Sequence, residues 1–79
     1  MNPDEVLAYL RRQPFEPFRI HLTDGTIYEV RHPDQCIVTR TAVHVAISKT
    51  NLAYAQGVAA YALLHINRIE PASIDQQRT

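Results

Sequence analysis

Tryptophan is absent from this chain, cysteine occurs once and glycine only twice. A lone cysteine cannot close an internal disulfide, which fits a reducing compartment. With two glycines there is no Gly-rich loop of the kind that cradles phosphate. An excess of either charge is missing too, because eight basic residues balance eight acidic ones. Domains that live on a nucleic-acid backbone usually carry a basic surplus. Long apolar runs are also lacking. The longest uncharged stretch, Thr50 to Asn67, is broken by Asn51, Gln56, Gly57 and His65 and is too polar to span a bilayer. The first residues include Asp4, Glu5, Arg11 and Arg12 and do not read as a signal peptide. These absences predict a cytoplasmic protein without membrane contact.

What is present is ordinary globular composition, 46% hydrophobic and 20% charged over 79 residues. That length predicts one domain, residues 1–70, followed by a polar, flexible tail at 71–79. So small a domain buries a modest share of its surface. Without disulfides, its remedies are close packing or self-association.

Phe18 to Val30 carries the most structural information. Phe18, Ile20 and Leu22 alternate with Arg19, His21 and Thr23, which describes a strand with one apolar face. Tyr28 and Val30 alternate with Glu29 and Arg31 in a second strand. A two-residue Asp24-Gly25 loop would set Ile20 against Glu29 and place a carboxylate on the core face. A three-residue loop, Thr23-Asp24-Gly25, pairs Ile20 with Tyr28, Phe18 with Val30 and Leu22 with Thr26. Gly25 then takes the left-handed position of a bulge. This register is the one we expect. It also sets Arg19 opposite Glu29 on the wet face, a pair worth under ~1 kcal/mol.

Ahead of the hairpin, Asn2-Pro3-Asp4-Glu5 predicts a helix start. Asn2 is a good N-cap, proline suits the first helical position, and Glu5 can reach back to the cap. Val6, Leu7 and Leu10 make an apolar stripe, Arg11 and Arg12 complement the helix C-terminus, and Pro14 stops it. Phe15, in the proline-rich connector, is expected to anchor the helix across an open barrel end.

After the hairpin, His32-Pro33-Asp34 reads as a turn organised by His32. Gln35 to Arg40 predicts a strand, and Val43, Val45 and Ile47 predict either its continuation or a further strand joined near Thr41. Lys49 to Gly57 reads as a loop, the segment best placed to carry function. The alanines and leucines of Val58 to Ile66 favour helix, but its place after Gly57 and the need for further strands to close a sheet favour a strand, the reading we take. It would be apolar on both faces, with Val58, Ala60, Ala62 and Leu64 on one and Tyr61 and Leu63 on the other. Such a strand should be covered on both sides. Asn67 to Glu70 would close the sheet, with Ile66 and Ile69 inward.

The fold class expected is therefore mainly β: an N-terminal helix and a small, partly open barrel of about five strands. The structural residues are Asn2, Glu5, Phe15, Phe18, Ile20, Leu22, Gly25, Tyr28, Val30, Ile66 and Ile69. Leu22-Thr-Asp-Gly-Thr-Ile-Tyr-Glu-Val30 resembles the first motif of Sm-like proteins, and His65 to Pro71 is similar to the short final segment of that SH3-like fold. The chain departs from the motif at Val30, where Sm proteins have a second glycine. Their RNA-contacting residues are not recognisable here. A closer resemblance is to a family of short uncharacterised bacterial proteins sharing Pro-Phe-x-Pro-Phe-x-Ile-x-Leu, Asp-Gly, Val-x-His-Pro and a late His-Ile-x-x-Ile-Glu. Here these are Pro14 to Leu22, Asp24-Gly25, Val30 to Pro33 and His65 to Glu70. That resemblance implies a bacterial origin and no particular activity.

The chemistry-bearing residues are sparse. His21, His32, His44 and His65 form no tight metal-ligand spacing, although a distant strand pairing would be able to bring His21 and His44 near Cys36, whose strand-like setting predicts a buried, inert thiol. Ser48 and Ser73 lack the context of an activated nucleophile. No catalytic residue, metal or cofactor is expected. Arg19, Arg31, Arg40, Lys49 and Arg68 with Tyr28 or Tyr54 would make a nucleic-acid patch, but Glu16, Glu29, Asp34 and Glu70 balance them. The leading expectation is a non-enzymatic module that self-associates or docks on a protein partner, with Arg19, Tyr54, Tyr61 and Arg68 as its interaction surface. An Sm-like RNA binder is the alternative, and a small metal-dependent enzyme the third reading.

Overall fold

A computed structural model describes residues 1–47 and 57–72. Of the loop expected from Lys49 to Gly57, residues 49–56, Tyr54 among them, lie outside the described residues, as do 48 and 73–79, while Gly57 opens a strand. The described chain runs α1 (Pro3–Leu10), β1 (Phe18–Leu22), β2 (Ile27–Val30), β3 (Cys36–Val38), β4 (Ala42–Ile47), β5 (Gly57–Ala62) and β6 (Ile66–Pro71). Among the described residues there are thus six strands rather than five, in two three-stranded antiparallel sheets ordered β2-β1-β6 and β3-β4-β5.

α1 starts where the sequence places it. The Asn2 side chain accepts the Glu5 amide at 3.0 Å and Glu5 accepts the Asn2 amide at 3.1 Å, a reciprocal capping box. The helix ends at Leu10 with Arg11 as its C-cap, so Arg11 and Arg12 fall beyond the last turn instead of inside it. Arg12 lies over the Tyr9 ring and pairs with Glu16 at 2.8 Å. Tyr9 and Phe15 flank the fully buried Phe18, with ring centroids 5.4 and 6.0 Å away. Helix and connector are thereby fastened to β1 by one aromatic cluster.

The hairpin has the expected register: Phe18 opposite Val30, Arg19 opposite Glu29 and Ile20 opposite Tyr28. The Leu22 amide donates to the Thr26 carbonyl at 2.9 Å, and Gly25 has φ +91°. On its other side β1 pairs with β6 through a bulge. Ile20 faces Ile69 and Leu22 faces Ile66, so two steps on β1 span three on β6. The extra residue turns both Ile66 and Ile69 inward although they are three apart in sequence.

β3 and β4 are two strands joined at Thr39, whose amide and hydroxyl both donate to the Ala42 carbonyl. The Gln35–Arg40 strand is shorter than its sequence suggests, because Pro33–Gln35 forms a 3-10 turn capped by His32 Nδ1, which accepts the Asp34 amide at 3.1 Å. The reading of Val58–Ile66 as one strand is corrected at its end. β5 stops at Ala62, and Leu63–His65 makes a 3-10 turn that carries the chain from the second sheet to the first. Leu63 is buried while Leu64 is 74% exposed. The Leu63 amide still bonds the Thr41 carbonyl, and the His65 carbonyl accepts the Thr23 amide at 2.8 Å, so the corner is tied to both sheets. β6 runs through Pro71, and Ala72 is buried with its amide on the Pro17 carbonyl.

Val6, Phe18, Ile20, Leu22, Val30, Cys36, Val43, Val45, Leu63 and Ile66 form the core between the sheets.

Candidate functional site

Residues paired across an antiparallel ladder share a face, so the registers assign every strand residue to the inside or the outside. The two outer faces differ in kind. On the β2-β1-β6 sheet the outer face is charged. Arg19 Nε lies 3.3 Å and Arg31 Nε 2.7 Å from Glu29, while His21 Nε2 lies 2.7 Å and Arg68 Nε 3.7 Å from Glu70. On the β3-β4-β5 sheet, Ile37, His44 and Ala60 form one row and Ala46 and Val58 the next. These three strands contain no Lys, Arg, Asp or Glu. Ile37 and Val58 are 64% and 67% exposed. The expected cover on both faces of the Val58–Ile66 run is therefore not present among the described residues.

The strand edges differ as well. A free edge offers unpaired amides and carbonyls to any passing strand, and charges, proline or shortness blunt it. β2 carries Glu29, β6 carries Arg68 and Glu70 and ends in Pro71, and β3 has three residues. β5, Gly-Val-Ala-Ala-Tyr-Ala, has none of these devices, and no described strand pairs with its outer edge.

A second feature lies where the corner of the chain meets the hairpin. Leu22, Thr23, Asp24, Tyr61 and His65 line a cleft of about 300 Å³. Tyr28 belongs to the inner face of the first sheet and Tyr61 to that of the second, and their rings meet at 5.7 Å with hydroxyls 3.5 Å apart. The hydrogen bond to Tyr61, with burial adding to it, pushes the Tyr28 phenol above its usual value, so it stays neutral at physiological pH. Asp24 Oδ1 accepts the Thr26 amide at 2.9 Å, and that bond lowers the Asp24 carboxyl below the ordinary range, with nearby His65 contributing least. The cleft thus presents a fixed anion, an imidazole and one phenol wall, that of Tyr61, a set suited to recognition.

The expected interaction surface is divided. Arg19 and Arg68 share the charged outer face, Tyr61 faces inward across the sheets, and Tyr54 lies outside the described residues. Phe18, Ile20, Leu22, Val30 and Ile66 are buried, and Phe15, Tyr28 and Ile69 pack against them. Cys36 points inward and His44 outward, because Cys36 pairs with Val45 and Ile37 with His44, so these two cannot share a metal. Among the described residues no three of His, Cys, Asp and Glu are placed to hold one. No helix among them is long and apolar enough to cross a membrane. The sequence reading took Asp24 as a turn residue and missed His65 as its neighbour, because nothing adjacent in the chain links the two.

No family model, curated protein or solved structure matches this chain.

Proposed function

We propose that this chain is a non-enzymatic interaction module whose partner is a second copy of itself, joined by strand addition along β5. The observation that carries this reading is a β5 edge with which no described strand pairs, beside an outer face whose strands hold no Lys, Arg, Asp or Glu, on a protein whose other sheet is studded with ion pairs. Antiparallel pairing of β5 with its symmetry mate would extend the sheet to six strands. Pairing centred on one residue, Ala59 or Ala60, keeps outer face continuous with outer face. Small alanine side chains let the two copies approach closely. Contact along one short strand falls below the ~1,000 Å² of a robust interface, so the affinity expected is micromolar.

We further infer that the two sheets, joined at the Leu63–His65 corner, form a partly open barrel of the SH3-like or Sm-like kind in a bacterial cytoplasmic protein. The corner and the unpaired thiol of Cys36 support this reading. Protein rather than RNA is the favoured partner. Arg19, Arg31 and Arg68 each sit beside a carboxylate, which cancels much of the field a phosphate backbone would feel.

Sedimentation velocity tests the proposal. The mass should rise toward a dimer at about 100 µM protein. Val58→Lys changes a side chain already 67% exposed, so it should leave the circular dichroism unchanged and hold the chain monomeric. A wild-type monomer at that concentration, or a V58K variant that still dimerises, would overturn it.

A further inference from the structure

We propose that the cleft between the Thr23-Asp24-Gly25 turn and the Leu63–His65 corner is a binding site for an arginine side chain presented by a protein partner. The inference goes beyond self-association and stands whether or not β5 pairs with a second copy.

Charge selects the class of ligand. The described lining residues include no lysine or arginine, and the one group charged across the physiological range is Asp24. The hydrogen bond its Oδ1 accepts from the Thr26 amide favours the ionised form and anchors the carboxylate. A phosphate or carboxylate ligand would face that anion with only the imidazole of His65 to offset it. A purely apolar ligand would strip water from Asp24 and Thr23 without replacing their hydrogen bonds.

Shape narrows the class. About 300 Å³ lies at the lower limit of small-molecule sites and suits one extended side chain. Tyr61, tilted 50° against Tyr28, supplies a rigid aromatic wall. A guanidinium is planar, weakly hydrated and always charged, so it can stack on a phenol ring while its N–H groups point to a carboxylate. Its three-carbon stem would lie along Leu22, which is nearly buried yet borders the cleft. Lysine offers the charge without the plane and should bind less well.

Why the site exists follows from the fold. Thr23 and His65 are 42 positions apart (65 − 23), and the 2.8 Å bond from the Thr23 amide to the His65 carbonyl clamps turn to corner. The same clamp brings Asp24 and His65 to one cleft, which Tyr61 also lines.

Acetylated, amidated arginine is the probe, followed through backbone amide chemical shifts of the full chain. Saturable shifts are expected at Thr23, Asp24, Gly25 and His65 with a Kd of roughly millimolar, weakening with added salt. The neutral isostere citrulline should bind at least about tenfold more weakly. Asp24→Asn keeps the turn, since the asparagine side-chain oxygen accepts the same hydrogen bond from the Thr26 amide, and removes the charge. It should lose the arginine response by about tenfold with the Ile20 and Tyr28 amides unmoved. Tyr61→Leu should weaken binding severalfold through the lost ring. Shifts that do not saturate, equal binding of citrulline, or an undiminished response in Asp24→Asn would each overturn the proposal.

Discussion

His21 and Glu70 stand 49 positions apart and meet at 2.7 Å on the outer face of the first sheet, joining β1 to β6. The His21 side chain is only 14% exposed, so its partner matters more than a fully solvated pair would suggest. Glu70→Ala should lower the unfolding free energy by about 1 kcal/mol, read as a fall in the urea midpoint without a change in slope. Because Arg68 also lies near Glu70, Glu70→Gln should recover part of the loss through the His21 hydrogen bond alone.

Gly25 holds φ +91°, and an added Cβ would meet nothing within 4 Å. Its requirement is therefore conformational and not steric. Gly25→Ala should cost about 1 kcal/mol, and Gly25→Asn distinctly less, because asparagine tolerates the left-handed region. Parallel urea titrations of the three proteins check the order.

Cys36 lies in the core, and burial pushes its thiol up to about 11. At pH 8 the folded protein should resist iodoacetamide while the urea-unfolded chain reacts readily, a contrast read by mass spectrometry. The folded state disfavours the thiolate. Its contribution to stability is accordingly complete below the ordinary thiol value of 9.0 and is lost as the pH climbs toward 11. Cys36→Ala should remove that alkaline decline.

The elements read correctly from sequence are those whose causes are local. The capping box spans Asn2 to Glu5, and the hairpin register follows from alternation in two adjacent strands around one glycine. The bulge opposite Leu22 also left a trace, since Ile66 and Ile69 can turn inward together only if a residue is extra. The candidate cleft left almost none. Asp24 looked like a turn residue, which it is, and nothing adjacent to it in the chain announces Tyr61 or His65.

By itself the sequence determined the helix start, the hairpin and the inward set from Phe18 to Val30, because capping, turn geometry and side-chain alternation act over a few residues. Only the tertiary structure decided where β5 stops. Ala62-Leu63-Leu64-His65 contains no glycine or proline to break a strand, and the chain bends there because it must pass from one sheet to the other. That bend buries Leu63, exposes Leu64 and brings His65 to the cleft that Asp24 lines. Contacts of such long separation depend on the packing of two sheets, which no short stretch of sequence encodes.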